Sequence, residues 1–225
     1  IIMDILLGVL LLSFVIHSFS IVPFINLLYS FKFFKDKSAV SKDMSDEASM
    51  HIKSKSRTPE GGGLLILTIT SLIFAFILPF LKYLGFEIIH VYPINDEINV
   101  IFFTFISFGL LGLYDDVVKF FELDRQGGYS GLRTKTKLLI QITLATIASI
   151  MLYVNLGIDT IHVPFFGVLH FGPWFIPLST FLIVGFSNSL NITDGMDGLA
   201  SGLLMISLFG LLILSTSILD TPLSL

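Results

Sequence analysis

Six stretches of this 225-residue chain approach the roughly 20 consecutive apolar residues that a helix needs to cross a bilayer, and they leave little room for any other fold. They cover residues 5–31, 62–84, 98–114, 138–156, 174–188 and 199–219, the third and fifth being the shortest. Backbone groups in lipid must be satisfied within the segment, so such stretches are read as helices. Hydrophobic residues make up 54% of the chain and charged ones only 13%, far outside soluble composition. The fold class expected is an all-α polytopic membrane bundle, residues 1–225 forming one membrane domain.

Basic residues give the orientation. Lys32, Lys35, Lys37, Lys42, Lys53, Lys55 and Arg57 lie in the loop 32–60, and Lys119, Arg125, Arg133, Lys135 and Lys137 in the loop 115–137. Only Lys82 falls elsewhere. The positive-inside rule makes both loops cytoplasmic, and with them the segment 188–198. The N-terminus is then external. The first apolar run lacks a basic leader, carries Asp4 near its start and is longer than a signal core, so it is read as a span. The opening Ile1-Ile2-Met3 suggests a true start at Met3 or upstream. With no cysteine, disulfides and thiolate metal sites are excluded.

Between the fourth and fifth spans, residues 157–173 alternate Ile158, Ile161 and Val163 with Asp159, Thr160 and His162, then turn near Pro164 and Gly167. This pattern predicts a small external β-hairpin at the membrane surface. His162 and His170 read there as solvated strand residues. The loop 32–60 ends in KSRTPEGGG, where Pro59 restricts Thr58 to extended backbone and three glycines permit close approach of backbone or ligand.

The chemistry concentrates in two places. Asp115 and Asp116 follow directly on the third apolar run. Adjacent carboxylates repel, so they need a cation, a basic neighbour or a shared proton, and Lys119, one helical turn on, offers part of that compensation. Taken alone, the pair reads as a solvated helix end at the membrane boundary. The second place is SNSLNITDGMDGLASG, which sets Asn188, Asn191, Asp194 and Asp197 at three-residue steps on the edge of the fifth span. Carboxylates beside a membrane span are costly unless they meet a wet cavity, a metal or a substrate. Two such clusters on one membrane face favour a site.

Hard-oxygen groups with lysines around them suit magnesium-assisted phosphoryl transfer, since Mg²⁺ prefers carboxylate, amide and phosphate oxygens and lysines offset diphosphate charge. Lys55, Lys119 and Lys137 are placed for that role, although topology alone would also put basic residues there. No Walker loop, HExxH or GxSxG occurs, so an ATP motor, a zincin and a serine hydrolase find no support.

TPEGGG, LYDDVVKF, GLRTKTKLLIQ and NSLNITDGMDGLA stand in the order and approximate spacing found in the polyprenyl-phosphate hexosamine-1-phosphate transferases, and the sequence resembles that family over about residues 53–202. The last two blocks are most similar to its phospho-N-acetylmuramoyl-pentapeptide transferase branch. The resemblance implies transfer of phospho-MurNAc-pentapeptide from UDP to undecaprenyl phosphate at the cytoplasmic face of the bacterial plasma membrane, giving lipid I and UMP with Mg²⁺ as cofactor. It implies that Asp115 activates the lipid phosphate, that Asp116 assists or approaches the metal, and that Asn191 ligates Mg²⁺ or holds the diphosphate. Asp194 and Asp197 would line the nucleoside side, with Asn188 and Thr58 also binding substrate, and Lys55, Lys119 and Lys137 would contact phosphate or nucleotide. The partners implied are the UDP-amino sugar, the polyprenyl phosphate and membrane lipid, with a homodimer as a candidate association and no nucleic acid.

Departures from the family pattern are specific. TPEGGG stands where TPTMGG is usual, so Glu60 and Gly61 replace Thr and Met, and Arg57 replaces a glycine. Family members have about ten spans, with a further metal-binding aspartate and a histidine-rich loop in the later half. This chain is therefore expected to be the N-terminal portion of such an enzyme and inactive alone. The nearest alternative is a sister transferase that loads GlcNAc-1-phosphate or another hexosamine phosphate. A transporter or non-catalytic scaffold is the more remote one, since transporters place ionisable groups near the bilayer midplane.

Overall fold

The computed structural model describes residues 2–31, 61–83, 92–121, 132–163, 165–194 and 198–220. All six apolar stretches are helical: α1 (Ile2–Ser30), α2 (Gly62–Tyr83), α3 (Ile94–Phe121), α4 (Thr134–Val154), α5 (Phe175–Thr193) and α6 (Leu199–Asp220). Between α4 and α5 lies an antiparallel pair, β1 (Thr160–Val163) and β2 (Gly167–His170), as the alternation predicts. Leu7–Ser30, Ile94–Val118, Thr134–Val154 and Gly172–Thr193 are long and apolar enough to cross a membrane, while the apolar stretches Gly62–Ile77 and Leu199–Leu214 are shorter among the described residues. The protein is thus a multi-pass membrane protein.

Helix bounds differ from hydropathy bounds where polar residues continue a helix. The third run loses its apolar character at Tyr114, yet α3 continues to Phe121, so Asp115 and Asp116 lie on the helix and not in a loop. Its other end starts at Pro93, whose carbonyl accepts from the N–H groups of Asp96 and Glu97, two acidic residues suited to a helix N-terminus. The fifth run likewise extends past Asn188 to Thr193. Pro23 and Pro79 sit inside α1 and α2, a placement tolerated in membrane helices.

Two compact units are distinguished, Leu7–Leu144 and Ile1–Leu6 with Ala145–Leu225. In the first, α2 packs on α3. Phe74 and Phe102 meet edge to face with centroids 6.2 Å apart, and Leu67 lies over Gly109, whose missing Cβ allows the close approach. In the second, Ala148 and Ser149 are fully buried, and Thr180 of α5 donates a hydrogen bond to Ser149 of α4 at 3.1 Å. Small and hydroxyl residues of this kind let membrane helices approach closely where lipid supplies no hydrophobic drive.

Of the three glycines in TPEGGG only Gly61 uses its conformational freedom, with φ of +98° at the entry to α2. Among the described residues a Cβ at Gly62 or Gly63 would meet open space.

Candidate active site

α3 and α4 bring the first cluster together. Asp115 is only 5% exposed. Its Oδ1 accepts a hydrogen bond from the Leu132 backbone N–H at 3.1 Å, and its Oδ2 lies 3.1 Å from Lys137 Nζ. The acidic pair is therefore not the solvated helix end that it resembles when taken alone. The local sequence explains the arrangement. Arg133, Lys135 and Lys137 crowd the N-terminal end of α4, where the helix dipole disfavours positive charge. The Lys137 N–H bonds to the Arg133 carbonyl at 2.9 Å, which sets its ammonium one turn into the helix. Asp115 supplies the anion that this end lacks, so one carboxylate ties the end of α3 to the start of α4.

Asp116, the next residue, is half-buried. Consecutive helical residues point about 100° apart, so the two carboxylates are not equivalent, and it is Asp115 that faces Lys137. Lys119 lies on α3, but its side chain is outside the described residues. One cation against Asp115 among the described residues is Lys137, 22 residues away, and spacing along a helix gives no sign of it.

The second cluster runs along the end of α5. Asn188 is half-buried and donates from Nδ2 to the Val184 carbonyl at 3.0 Å. Asn191 and Asp194 are exposed, and Asp194 ends the helix with its N–H on the Leu190 carbonyl at 3.1 Å. Three-residue steps on a helix keep side chains near one face, which gives a polar ridge at the end of an apolar span. Thr193, which the sequence does not single out, bonds back to the Ser189 carbonyl at 2.8 Å. Gly198, just before α6, has φ of +83°, and its carbonyl accepts from the Gly202 N–H at 2.9 Å. Lys55, Thr58 and Asp197 lie outside the described residues.

Among the described residues no group of three or more His, Asp or Glu side chains could hold a metal ion. Asp116 in the first unit, and Asn191 and Asp194 in the second, each offer a hard oxygen, the donor type that Mg²⁺ prefers. His162 and His170 are exposed on the hairpin, His170 with Nδ1 at 3.8 Å from Asp159, as expected for solvated strand residues.

The model of the family described as "Glycosyl transferase family 4" matches residues 98–225. Curated relatives named phospho-N-acetylmuramoyl-pentapeptide-transferase include that of Caldanaerobacter subterraneus, 35% identical over 85% of this chain and 53% of the relative. That of Aquifex aeolicus is 35% identical over 66% of this chain and 37% of the relative. That of Streptococcus pneumoniae is 34% identical over 79% and 49% respectively. The chain thus spans about half the length, or less, of these curated relatives.

Proposed function

Since the chain belongs to glycosyl transferase family 4, we propose that the full-length protein transfers a phosphosugar from a UDP-linked donor to a polyprenyl phosphate, with phospho-MurNAc-pentapeptide as the group transferred and undecaprenyl phosphate as the acceptor. The observation that carries this reading is the buried Asp115 carboxylate, held by Lys137 at the end of a membrane helix with Asp116 beside it. A phosphate on a lipid must react where chain and water meet, and these residues sit where the apolar part of α3 gives way to polar sequence. In this reading that end faces the cytoplasm at the plasma membrane, an orientation that the lysine and arginine asymmetry supports.

In this reading an oxygen of the lipid phosphate attacks the sugar-linked phosphorus, the phosphoanhydride bond breaks, and UMP leaves. Asp115 takes the proton of the lipid phosphate as general base. Lys137 and the Leu132 N–H hold Asp115 in one orientation, with Lys137 serving as a positioning residue. Asp116 and Asn191 would hold Mg²⁺, which supplies charge stabilisation to the diphosphate. Asn188, Asp194 and Asp197 would bind the nucleoside side, and Lys55, Thr58 and Lys119 the phosphates. One observation favours a second assignment within the same reaction: both Asp115 oxygens already have partners. Asp115 would then position the helix ends.

The full-length protein, supplied with undecaprenyl phosphate and Mg²⁺, should release UMP from UDP-MurNAc-pentapeptide and not from UDP-GlcNAc, and chelation with EDTA should abolish release. Release from UDP-GlcNAc alone would replace the proposed donor with that of the sister transferases. Release from neither donor would overturn the transferase reading.

A further inference from the structure

The hairpin between α4 and α5 carries its largest apolar side chains at its tip, uncovered. β1 and β2 pair from Thr160 with His170 to Val163 with Gly167. The turn is closed by the Phe166 N–H on the Val163 carbonyl at 3.1 Å. Phe165 and Phe166 are 105% and 80% exposed. Phe165 has φ of +71°, a left-handed conformation that glycine or asparagine adopts at lower cost. The turn therefore accepts backbone strain and presents a bare aromatic ring. Val168 on β2 is exposed as well, and so is Trp174, the only tryptophan of the chain, in the short 3-10 turn Gly172–Trp174 that leads into α5.

The charged group of the hairpin lies at its opposite end, while His162, which pairs with Val168 one step from the turn, is exposed. Between residues 157 and 174 the only Asp, Glu, Lys or Arg is Asp159. It sits at the base, where its carbonyl accepts from the Phe171 N–H at 2.8 Å and its carboxylate lies 3.8 Å from His170. The base is also tied to α4 by the Ile158 N–H on the Leu152 carbonyl at 3.1 Å. A polar base fixed to the end of one membrane helix, and a nearly uncharged aromatic tip, are flanked by exposed apolar side chains on both sides: Val154 at the end of α4, and Trp174 and Phe181 at the start of α5. Aromatic residues favour the layer between headgroups and acyl chains, and an apolar face lies about 5–10 Å into that boundary.

We propose that Phe165 and Phe166 insert into the interfacial layer of the bilayer where α4 ends and α5 begins, so that the hairpin is a lipid anchor. Interfacial anchors set the tilt and rotation of membrane helices. Here the anchor holds the end of α5 opposite to Asn188, Asn191 and Asp194, which lie about 28 Å away along a 19-residue helix. The partner is the lipid surface itself, and the inference is independent of the transferase reading.

The test uses the full-length protein in phosphatidylcholine vesicles, with every tryptophan, Trp174 included, replaced by phenylalanine as the background and Phe165→Trp as the reporter. Emission of the reporter should be blue-shifted from that of N-acetyltryptophanamide in buffer. It should lose most of its intensity in vesicles of lipids brominated near the headgroup end of the acyl chain, and little to aqueous iodide. Phe166→Trp, made in parallel, should behave alike and covers the case in which the first variant does not fold. Water-like emission quenched by iodide would overturn the proposal, as would protection from both quenchers, which would mean that protein covers the tip.

Discussion

Asp115→Asn in the full-length protein is expected to lower turnover by about 10²-fold or more, the effect of losing a general base, while KM for the UDP donor changes little. Asparagine keeps the size of the side chain and an oxygen for the Leu132 N–H, but removes the charge that faces Lys137. UMP release over a range of donor and Mg²⁺ concentrations separates the two assignments of the acidic pair. If Asp115 is the base, the loss falls on kcat and the dependence on Mg²⁺ is unchanged. Asp116→Asn should instead raise the Mg²⁺ concentration needed for half-maximal rate. Near-normal turnover in Asp115→Asn would eliminate the catalytic role of Asp115 and leave it as a tie between helix ends.

Lys137→Met is expected to destabilise the folded protein by about 3–5 kcal/mol, the cost of leaving one member of a buried ion pair without its partner. The size follows from burial: the side chains of Lys137 and Asp115 are 19% and 7% exposed, so solvent screens the remaining carboxylate poorly. Methionine matches the length of the lysine stem and removes only the charge. Lys137→Arg should recover part of the loss. The double variant Asp115→Asn, Lys137→Met should be more stable than Lys137→Met alone, because no uncompensated charge remains, yet it should stay inactive. Thermal unfolding of the purified protein in detergent measures all three. A Lys137→Met variant as stable as the parent would show that the pair does not tie α3 to α4.

Hydropathy locates all six helices and the alternation at 158–170 locates the hairpin, because both patterns report directly on which faces meet lipid and which meet water. Hydropathy marks the membrane boundary, however, and not the helix boundary. Asp115 and Asp116 therefore look like the start of a loop, although α3 runs on to Phe121. The contact of Asp115 with Lys137 is hidden for a different reason. Helical spacing offers Lys119, whose side chain lies outside the described residues, whereas the contact with Lys137 depends on how two helix ends meet. Ser149 and Thr180 are hidden too, since a hydroxyl residue inside an apolar run is read as a minor interruption until its partner on another helix is known.

The proposed transfer needs the acidic pair of α3 and the polar ridge of α5 to serve one site in the full-length protein. A structure of the full-length protein with Mg²⁺ and UDP measures this directly, through the separation of the Asp116 and Asp194 carboxylates. Both are expected to line a single cytoplasmic cavity, close enough to share a metal-bridged diphosphate whose ligand distances are about 2 Å. Carboxylates farther apart than about 15 Å, beyond what one such metal and diphosphate could bridge, would contradict it.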